Sequence, residues 1–224
     1  LAVDTSPLLE RELAVAAGLG FIGKNAMLIT PGLGSYTLIG AMLLPLEFSP
    51  DSPIPTRCGR CTRCLDACPS AALRAPRLLD ARRCVSYLTI EHRGEIPDSL
   101  AGALSPWVFG CDACQEACPF NARAPGRAVP LPGLNRQPLT RDLDLARLMN
   151  LGKGSHRRLV QGTALRRTPR HQLRRNGALA AGGANPRSPL QVLQTLHGLL
   201  QDHRPEVARA ARQALTLAGE AVTD

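Results

Sequence analysis

The sequence predicts an α+β fold in three parts, and three observations support that division. All eight cysteines of the 224-residue chain lie in one stretch, from Cys58 to Cys118. Before this stretch, short apolar runs separated by glycine-rich turns indicate strands. After it, apolar residues recur at helical spacing. We therefore predict a strand-containing part over residues 1–50, a cysteine-rich part over 51–125 and a helical part over 126–224.

The first part contains one predicted helix and two predicted strands. Ser6 is a favourable N-cap with Pro7 at the first helical position, and the helical pattern stops at Gly18. Strands are predicted from Met27 to Thr30 and from Tyr36 to Leu44. The second of these is so apolar that we expect it to be a buried central strand.

Asp4 precedes the predicted helix, at a turn between a strand and a helix. Side chains at such turns often point into a cleft, which makes Asp4 a candidate functional residue. The alternative is an accessory helix cap, because Asp is also a common capping residue. The position of Asp4 alone leaves both interpretations open.

The segment from Gly18 to Asn25 imitates two phosphate-binding loops. It matches G-x-G-x-x-G, and it matches the P-loop pattern up to Asn25, where that loop needs Ser or Thr for magnesium. Both loops follow a strand and open a helix, whereas this segment follows a helix. We therefore predict a helix C-cap and a turn rather than a nucleotide site.

The cysteines form two runs. The first has the spacing C-x₂-C-x₂-C-x₃-C-P of two-cluster bacterial ferredoxins, in which three thiolates bind one [4Fe–4S] cluster and the fourth binds the other. The second run lacks its leading cysteine because Val108 stands there, and Cys84 is the remaining thiol of the sequence. This spacing assigns one cluster to Cys58, Cys61, Cys64 and Cys118. It assigns the other to Cys84, Cys111, Cys114 and Cys68.

Two other uses of eight cysteines fit less well. A disulfide framework is typical of small secreted chains, and this chain is long enough to bury a core. Paired zinc sites also use C-x₂-C units, but these usually stand apart, without a third cysteine two residues on and a following Cys-Pro. We predict two [4Fe–4S] clusters in a ferredoxin-like domain over residues 51–125.

Helices are predicted on both sides of the second run. Between the runs they span Asp80 to Glu91 and Pro97 to Leu104. Beyond Pro138 five more are expected, at Asp142 to Met149, Ser155 to Leu165, Pro169 to Ala180, Pro189 to Leu200 and Pro205 to Ala218. The short breaks between them suggest antiparallel pairs like those of HEAT repeats.

The net charge of +9 is concentrated in the helical part. Between Leu145 and Gln201 there is no Asp or Glu but there are ten Lys and Arg residues, which leaves 17 basic against 18 acidic residues elsewhere. Such a window is either a solvated face or a binding surface for a polyanion. With seven aromatic residues in the chain, phosphate contacts to a folded nucleic acid are expected rather than base stacking.

Several motifs together resemble those of the epoxyqueuosine reductases, in the same order and over nearly the whole chain. They are Val3 to Arg11, Ala17 to Lys24, Gly34-Ser35, the two cysteine runs, Arg83 to Glu91, Gly162 to Arg167 and Arg175-Asn176. The resemblance implies that residues 1–50 are the C-terminal part of a cobalamin-binding α/β domain and that the chain is an N-terminally truncated fragment. The separate position of Cys84 is also the arrangement of this family and of the related reductive dehalogenases.

The resemblance further implies base-off cobalamin without a histidine ligand from the protein, and a tRNA whose wobble epoxyqueuosine is reduced to queuosine. It implies that Asp4 is the catalytic acid. The cobalamin contacts that it implies are Leu28, Gly34, Ser35, Ile39 and Ser86. Within the basic segment, we expect Arg166, Arg167 and Arg175 to contact tRNA phosphates.

The expected setting is a cytoplasmic, soluble monomer that takes electrons from an external low-potential donor and does not associate with membranes. Two alternatives use much of the same sequence. A reductive dehalogenase would share the clusters and cobalamin but would have no use for a basic helical segment. A non-catalytic electron-transfer module would need no cobalamin.

Overall fold

The computed structural model describes residues 8–122, 144–183, 190–220 and 222. The predictions for Asp4, Ser6 and Pro7 lie outside these residues. The chain is mixed α+β and rich in helix, as predicted. By their contacts, its residues form two compact units. The first contains the described parts of Leu1–Asp80 and Asp112–Pro130, and the second those of Ala81–Cys111 and Leu131–Asp224.

The first unit begins with helix α1, Glu10–Ala16, followed by a small hairpin of strands β1, Phe21–Ile22, and β2, Leu28–Ile29. The helix ends where predicted, because Gly18 adopts a left-handed φ of 69° and its N–H donates to the carbonyl of Val15. Strand β2 confirms the predicted strand in this region.

The predicted strand from Tyr36 to Leu44 is wrong. Its residues belong to no helix or strand, and Leu38, Met42 and Leu43 are 87%, 80% and 100% exposed. A central strand needs hydrogen-bonding neighbours on both edges and layers covering both faces. Among the described residues the first unit contains only two-stranded hairpins, so the apolar pattern has no sheet to join.

The cysteine runs of the first unit are held by short elements. These are helix α2, Arg63–Asp66; strands β3, Leu73–Ala75, and β4, Leu78–Leu79; and helices α5, Ala113–Glu116, and α6, Pro119–Ala122. Helices α2 and α5 occupy corresponding places in the two runs and contact each other. This duplicated loop-and-helix pattern agrees with the ferredoxin-like prediction.

The second unit is helical. Its α-helices are α3, Val85–Ile90; α4, Asp98–Ala101; α7, Leu145–Met149; α8, Lys153–Val160; α9, Arg170–Gly182; α10, Leu190–Leu199; and α11, Pro205–Leu217. All five predicted C-terminal helices are confirmed, although α8 ends five residues before the predicted Leu165. The chain there turns at Gly162, which has a φ of 69°, into a 3-10 turn at Ala164–Arg167.

The core of the second unit lies between α9 and α11. Leu179, Ala211, Ala214 and Leu215 are fully buried there. Gly182 permits the close approach, since a Cβ at this position would lie 2.5 Å from the Cα of Ala214. In the described part of the chain, no helix combines the length and apolar character needed to cross a bilayer.

Candidate iron–sulfur site

The first unit brings together cysteines from both runs. Cys118 is 7% exposed and forms a buried apolar group with Phe21 and Ile29, against which Cys58 packs. Cys64 lies in α2, close enough to Cys118 and Cys58 to be affected by their charges. Three of the four cysteines assigned to the first cluster are therefore neighbours. The spacing predicts that Cys118, which belongs to the second run, lies near cysteines of the first run.

The fourth cysteine of this set, Cys61, is exposed. It follows Cys58 through a tight turn in which the N–H of Cys61 donates to the carbonyl of Cys58 at 3.1 Å. Gly59 in this turn has a left-handed φ of 50°.

The surroundings of Cys118 and Cys58 are largely apolar. Burial raises the pKa of the Cys64 thiol, and the neighbouring Cys118 and Cys58 raise it further. Thiolates crowded in a desolvated site need a cation, and bound iron supplies that charge. The rings of Phe21 and Phe120 stack edge to face with centroids 5.4 Å apart beside Cys118. The donor set and its environment therefore fit an iron–sulfur cluster.

Within the described ranges, no three His, Cys, Asp or Glu side chains are placed to hold a single metal ion. Convergence on one point is the geometry of a mononuclear site such as tetrahedral zinc. A [4Fe–4S] cluster is larger, and each of its four thiolates binds at a different corner.

Lys24 and Asn25 hold the cysteine loops, a role that the sequence did not reveal. The Lys24 ammonium donates to the carbonyls of Gly59 at 2.8 Å and Cys61 at 2.9 Å. Asn25, which is 4% exposed, donates from its side chain to the carbonyl of Cys114 at 3.4 Å. The segment that imitates a phosphate loop thus begins with the predicted helix C-cap and ends in a turn, although strand β1 between them was not predicted. Its last two side chains contact both cysteine runs.

Ser35 joins the same structure through a closed set of hydrogen bonds. Its hydroxyl donates to Gln115 Oε1 at 2.8 Å and accepts from Asn121 Nδ2 at 2.9 Å, while its N–H donates to Asn121 Oδ1 at 2.7 Å. Gly34 must be glycine here, because its φ is 81° and a Cβ would lie 2.1 Å from Asn121 Oδ1. Gln115 and Asn121 flank Cys118, so this network positions that predicted ligand.

The second predicted set draws two cysteines from each unit and stays a prediction. In the first unit, the N–H of Ala72 donates to the sulfur of Cys68 at 3.2 Å, a hydrogen bond that would stabilise a thiolate there. In the second unit, Cys84 is the N-cap residue of α3, and Cys111 packs against the core that includes Val85.

The residues implied as cobalamin contacts differ in their exposure and in whether their side chains are already hydrogen-bonded. Leu28 is 5% exposed within β2, Ile39 is half-buried, and the hydroxyl of Ser35 is already used by Gln115 and Asn121. Contact of Ser35 and Gly34 with a corrin would therefore be through the backbone. Ser86 is half-buried at the start of α3 in the second unit.

The basic segment divides into exposed and buried residues. Arg166 and Arg167 are exposed in the 3-10 turn, and Arg167 Nη2 forms an ion pair with Glu91 at 2.6 Å. Arg174 is largely buried and pairs with Asp202, also at 2.6 Å. The exposed cations Arg147, Lys153, Arg157 and Arg158 lie on α7 and α8.

Arg175 is fully buried, which corrects its assignment as a phosphate contact. Its guanidinium donates to the carbonyls of Leu88 at 2.6 Å, His92 at 3.0 Å and Gly94, and to Asn176 Oδ1 at 2.8 Å. A group with no exposed surface cannot contact a phosphate. Arg175 instead caps the C-terminal end of α3, where unpaired carbonyls need donors.

Two neighbours extend this cap. Asn176 Nδ2 donates to the carbonyls of Thr89 and Val108, both at 2.8 Å. Gln172 Nε2 donates to Thr89 and Ile90, both at 3.0 Å. Helix α9 thus fixes both α3, which follows Cys84, and the turn that precedes Cys111.

Residues 57–121 match the protein family described as a 4Fe-4S double cluster binding domain. The chain therefore carries an iron–sulfur domain of the two-cluster class, in agreement with the positions of its cysteines. An epoxyqueuosine reductase of Gloeobacter violaceus is 44% identical over 185 residues, which are 81% of this chain and 58% of that protein. The chain is a homologue of the epoxyqueuosine reductases, as its motifs predicted, and spans little more than half the length of these relatives.

Solved structures support the same relationship. A crystal structure of epoxyqueuosine reductase with an epoxyqueuosine-modified tRNA-Tyr stem loop is 34% identical, with a TM-score of 0.83, over 98% of this chain and 57% of that one. A Bacillus subtilis epoxyqueuosine reductase, with an aspartate catalytic loop swung out of its active site, is 32% identical with a TM-score of 0.82. That match covers 93% of this chain and 55% of that chain.

Proposed function

We propose that this protein reduces epoxyqueuosine to queuosine at the wobble position of tRNA. The likeness to a tRNA-bound epoxyqueuosine reductase over 98% of the chain carries the proposal. Removal of the epoxide oxygen as water consumes two electrons and two protons. The reaction therefore needs an electron path, a proton donor and a surface for tRNA, and different parts of the chain are available for each.

The electron path consists of two [4Fe–4S] clusters. Cys58, Cys61, Cys64 and Cys118 would hold the first, with Lys24 fixing the loop between Cys58 and Cys61. The second would be held by Cys84, Cys111, Cys114 and Cys68. Clusters of this kind transfer one electron at a time, so two transfers serve each epoxide.

Cobalamin, when bound, supplies a strongly reducing and nucleophilic metal centre for opening the epoxide. Leu28, Gly34, Ser35, Ile39 and Ser86 would contact it, mainly through backbone and apolar atoms. Asp4, which lies outside the described residues, would hold the proton that neutralises the epoxide oxygen. The catalytic aspartate loop of the Bacillus subtilis relative supports a role of this kind for an aspartate.

The tRNA surface would comprise Arg166, Arg167 and the exposed cations of α7 and α8. The helix pairs of the second unit would stack in the manner of HEAT repeats, a shape suited to an extended ligand. Such a substrate implies that the protein works in the cytoplasm.

The test uses protein expressed from its whole coding sequence, loaded with both cofactors and reduced chemically. Parent protein should convert epoxyqueuosine-containing tRNA to queuosine in a single turnover. Asp4→Asn should reduce its cobalt normally but convert tRNA about 10²- to 10⁴-fold more slowly, because the proton donor is lost. Failure of the parent on this tRNA, with dehalogenation of a small organohalide, would favour the related dehalogenase activity.

A further inference from the structure

The surface around Cys61 is strongly basic. Cys61 is exposed, whereas Cys118 of the same set is 7% exposed. Arg57, Arg60 and Arg63 are all exposed and alternate with the cysteines of the first run. The sequence contains no Asp or Glu from Ser52 to Leu65. An exposed cluster ligand therefore lies among three cations, and the one carboxylate of this run is Asp66, whose Oδ2 accepts from the Thr62 hydroxyl at 2.8 Å.

Lys24 adds a fourth cation at the same loop. Its ammonium is held against the carbonyls of Gly59 and Cys61 by hydrogen bonds of 2.8 and 2.9 Å. No carboxylate of the described residues forms an ion pair with Arg57, Arg60 or Arg63. We call these four residues, Lys24, Arg57, Arg60 and Arg63, the basic collar.

The second cysteine run has the opposite charge. Asp112 and Glu116 flank Cys114 in the corresponding loop and helix. Within the first unit, an acidic partner would thus be attracted to the first run and repelled from the second.

We propose that the basic collar docks an acidic, one-electron carrier protein, and that electrons enter through the cluster held by Cys61. The proposal rests on the proposed function, because it requires that cluster. Each transfer oxidises the carrier by one electron and reduces the cluster by one, so two transfers supply one epoxide reduction. Electron-transfer complexes are small and transient, and opposite charges raise their rate of encounter.

A protein carrier fits this surface better than the phosphates of tRNA. The cations surround an exposed cluster ligand, where short separation from a redox partner matters, and a tRNA brings no electrons. The exposed cations of α7, α8 and the 3-10 turn, which belong to the second unit, are the proposed contacts to phosphates. The collar and the tRNA surface should therefore respond to different substitutions.

The test measures the rate at which reduced flavodoxin, an acidic flavin protein, reduces the clusters of loaded protein in anaerobic stopped flow. Replacing Arg57, Arg60 and Arg63 together by Gln should lower the second-order rate constant about 10- to 100-fold at low salt and flatten its salt dependence. The matched control replaces three exposed cations of the second unit by Gln. These are Arg147, Lys153 and Arg157.

Two measurements separate docking from damage to the cluster. Iron content should be the same in parent, collar variant and control. Photogenerated deazaflavin radical, a small uncharged reductant, should reduce all three at equal rates, because it does not depend on the collar. Together these results would show that the variant's cluster is intact and that only its recognition of the carrier has changed.

Equal flavodoxin rates and salt slopes in parent and collar variant would overturn the proposal, as would an equal fall in the control. It would also be overturned if the collar variant kept the flavodoxin rate but lost affinity for the tRNA stem loop. Parent protein that assembles no cluster would overturn the proposed function and this inference together. If the parent assembles its clusters but flavodoxin reduces parent and collar variant at the same rate, only the docking proposal would be overturned.

Discussion

Replacement of Arg175 by Met tests whether this arginine is a buried cap or a tRNA contact. Its guanidinium serves three backbone carbonyls, those of Leu88, His92 and Gly94, with no exposed surface. Met has a similar length but no donors. The variant therefore leaves these carbonyls unpaired without creating a large cavity.

The expected loss of unfolding free energy in the Arg175→Met variant is the difference between two opposing contributions. Each carbonyl that loses its donor costs about 1–3 kcal/mol, or roughly 6 kcal/mol for three. Against this, burial lowers the pKa of Arg175 from its usual value to about 10. A shift of that size corresponds to about 3 kcal/mol of desolvation that Met would not incur. We predict a net destabilisation of about 3 kcal/mol.

The assay is urea unfolding of cluster-loaded protein under anaerobic conditions, followed by far-ultraviolet circular dichroism. Arg166→Met is the matched control, since Arg166 is exposed, and it should change the unfolding free energy by less than about 0.5 kcal/mol. Unchanged stability of the Arg175 variant with weakened tRNA binding would refute the cap and restore a phosphate contact.

Two further predictions concern the second unit. Replacing Arg166 and Arg167 by Ala should weaken tRNA binding and reduce its salt slope by about one unit per lost contact, whereas Arg74→Ala should do neither. Burial lowers the pKa of His171 below its usual 6.5, despite the opposing charge of Glu206. Because the unfolded chain then binds the proton more readily, stability should fall as pH drops below 6.5. His171→Gln should show a smaller fall between pH 7.5 and 5.5 in the same urea assay.

The features that the sequence predicted well are those encoded locally. Cysteine spacing indicates which thiols share a loop. The proximity of Cys118 to Cys58 agrees with the geometry of two-cluster ferredoxins, and the assignment of ligands to each cluster stays a prediction. The five C-terminal helices follow from the periodicity of their apolar residues, with Pro205 at the start of α11 and Gly162 after α8 as boundaries.

The features that it missed depend on distant contacts. A charge count cannot separate Arg166, which faces solvent, from Arg175, whose carbonyl partners lie more than 80 residues away. Lys24 meets its partners across 35 and 37 residues. The apolar run from Tyr36 to Leu44 predicted a strand, but a strand also requires neighbouring strands, which a local pattern does not report.

The exchange of fourth ligands between the two cysteine runs is the central structural claim. It can be tested by iron analysis of Cys84→Ala, Cys118→Ala and the double variant. If Cys118 completes the first cluster and Cys84 the second, the parent should contain about eight irons, each single variant about four, and the double variant almost none. If both cysteines instead served the same cluster, the double variant would retain about four irons, and that result would contradict the account.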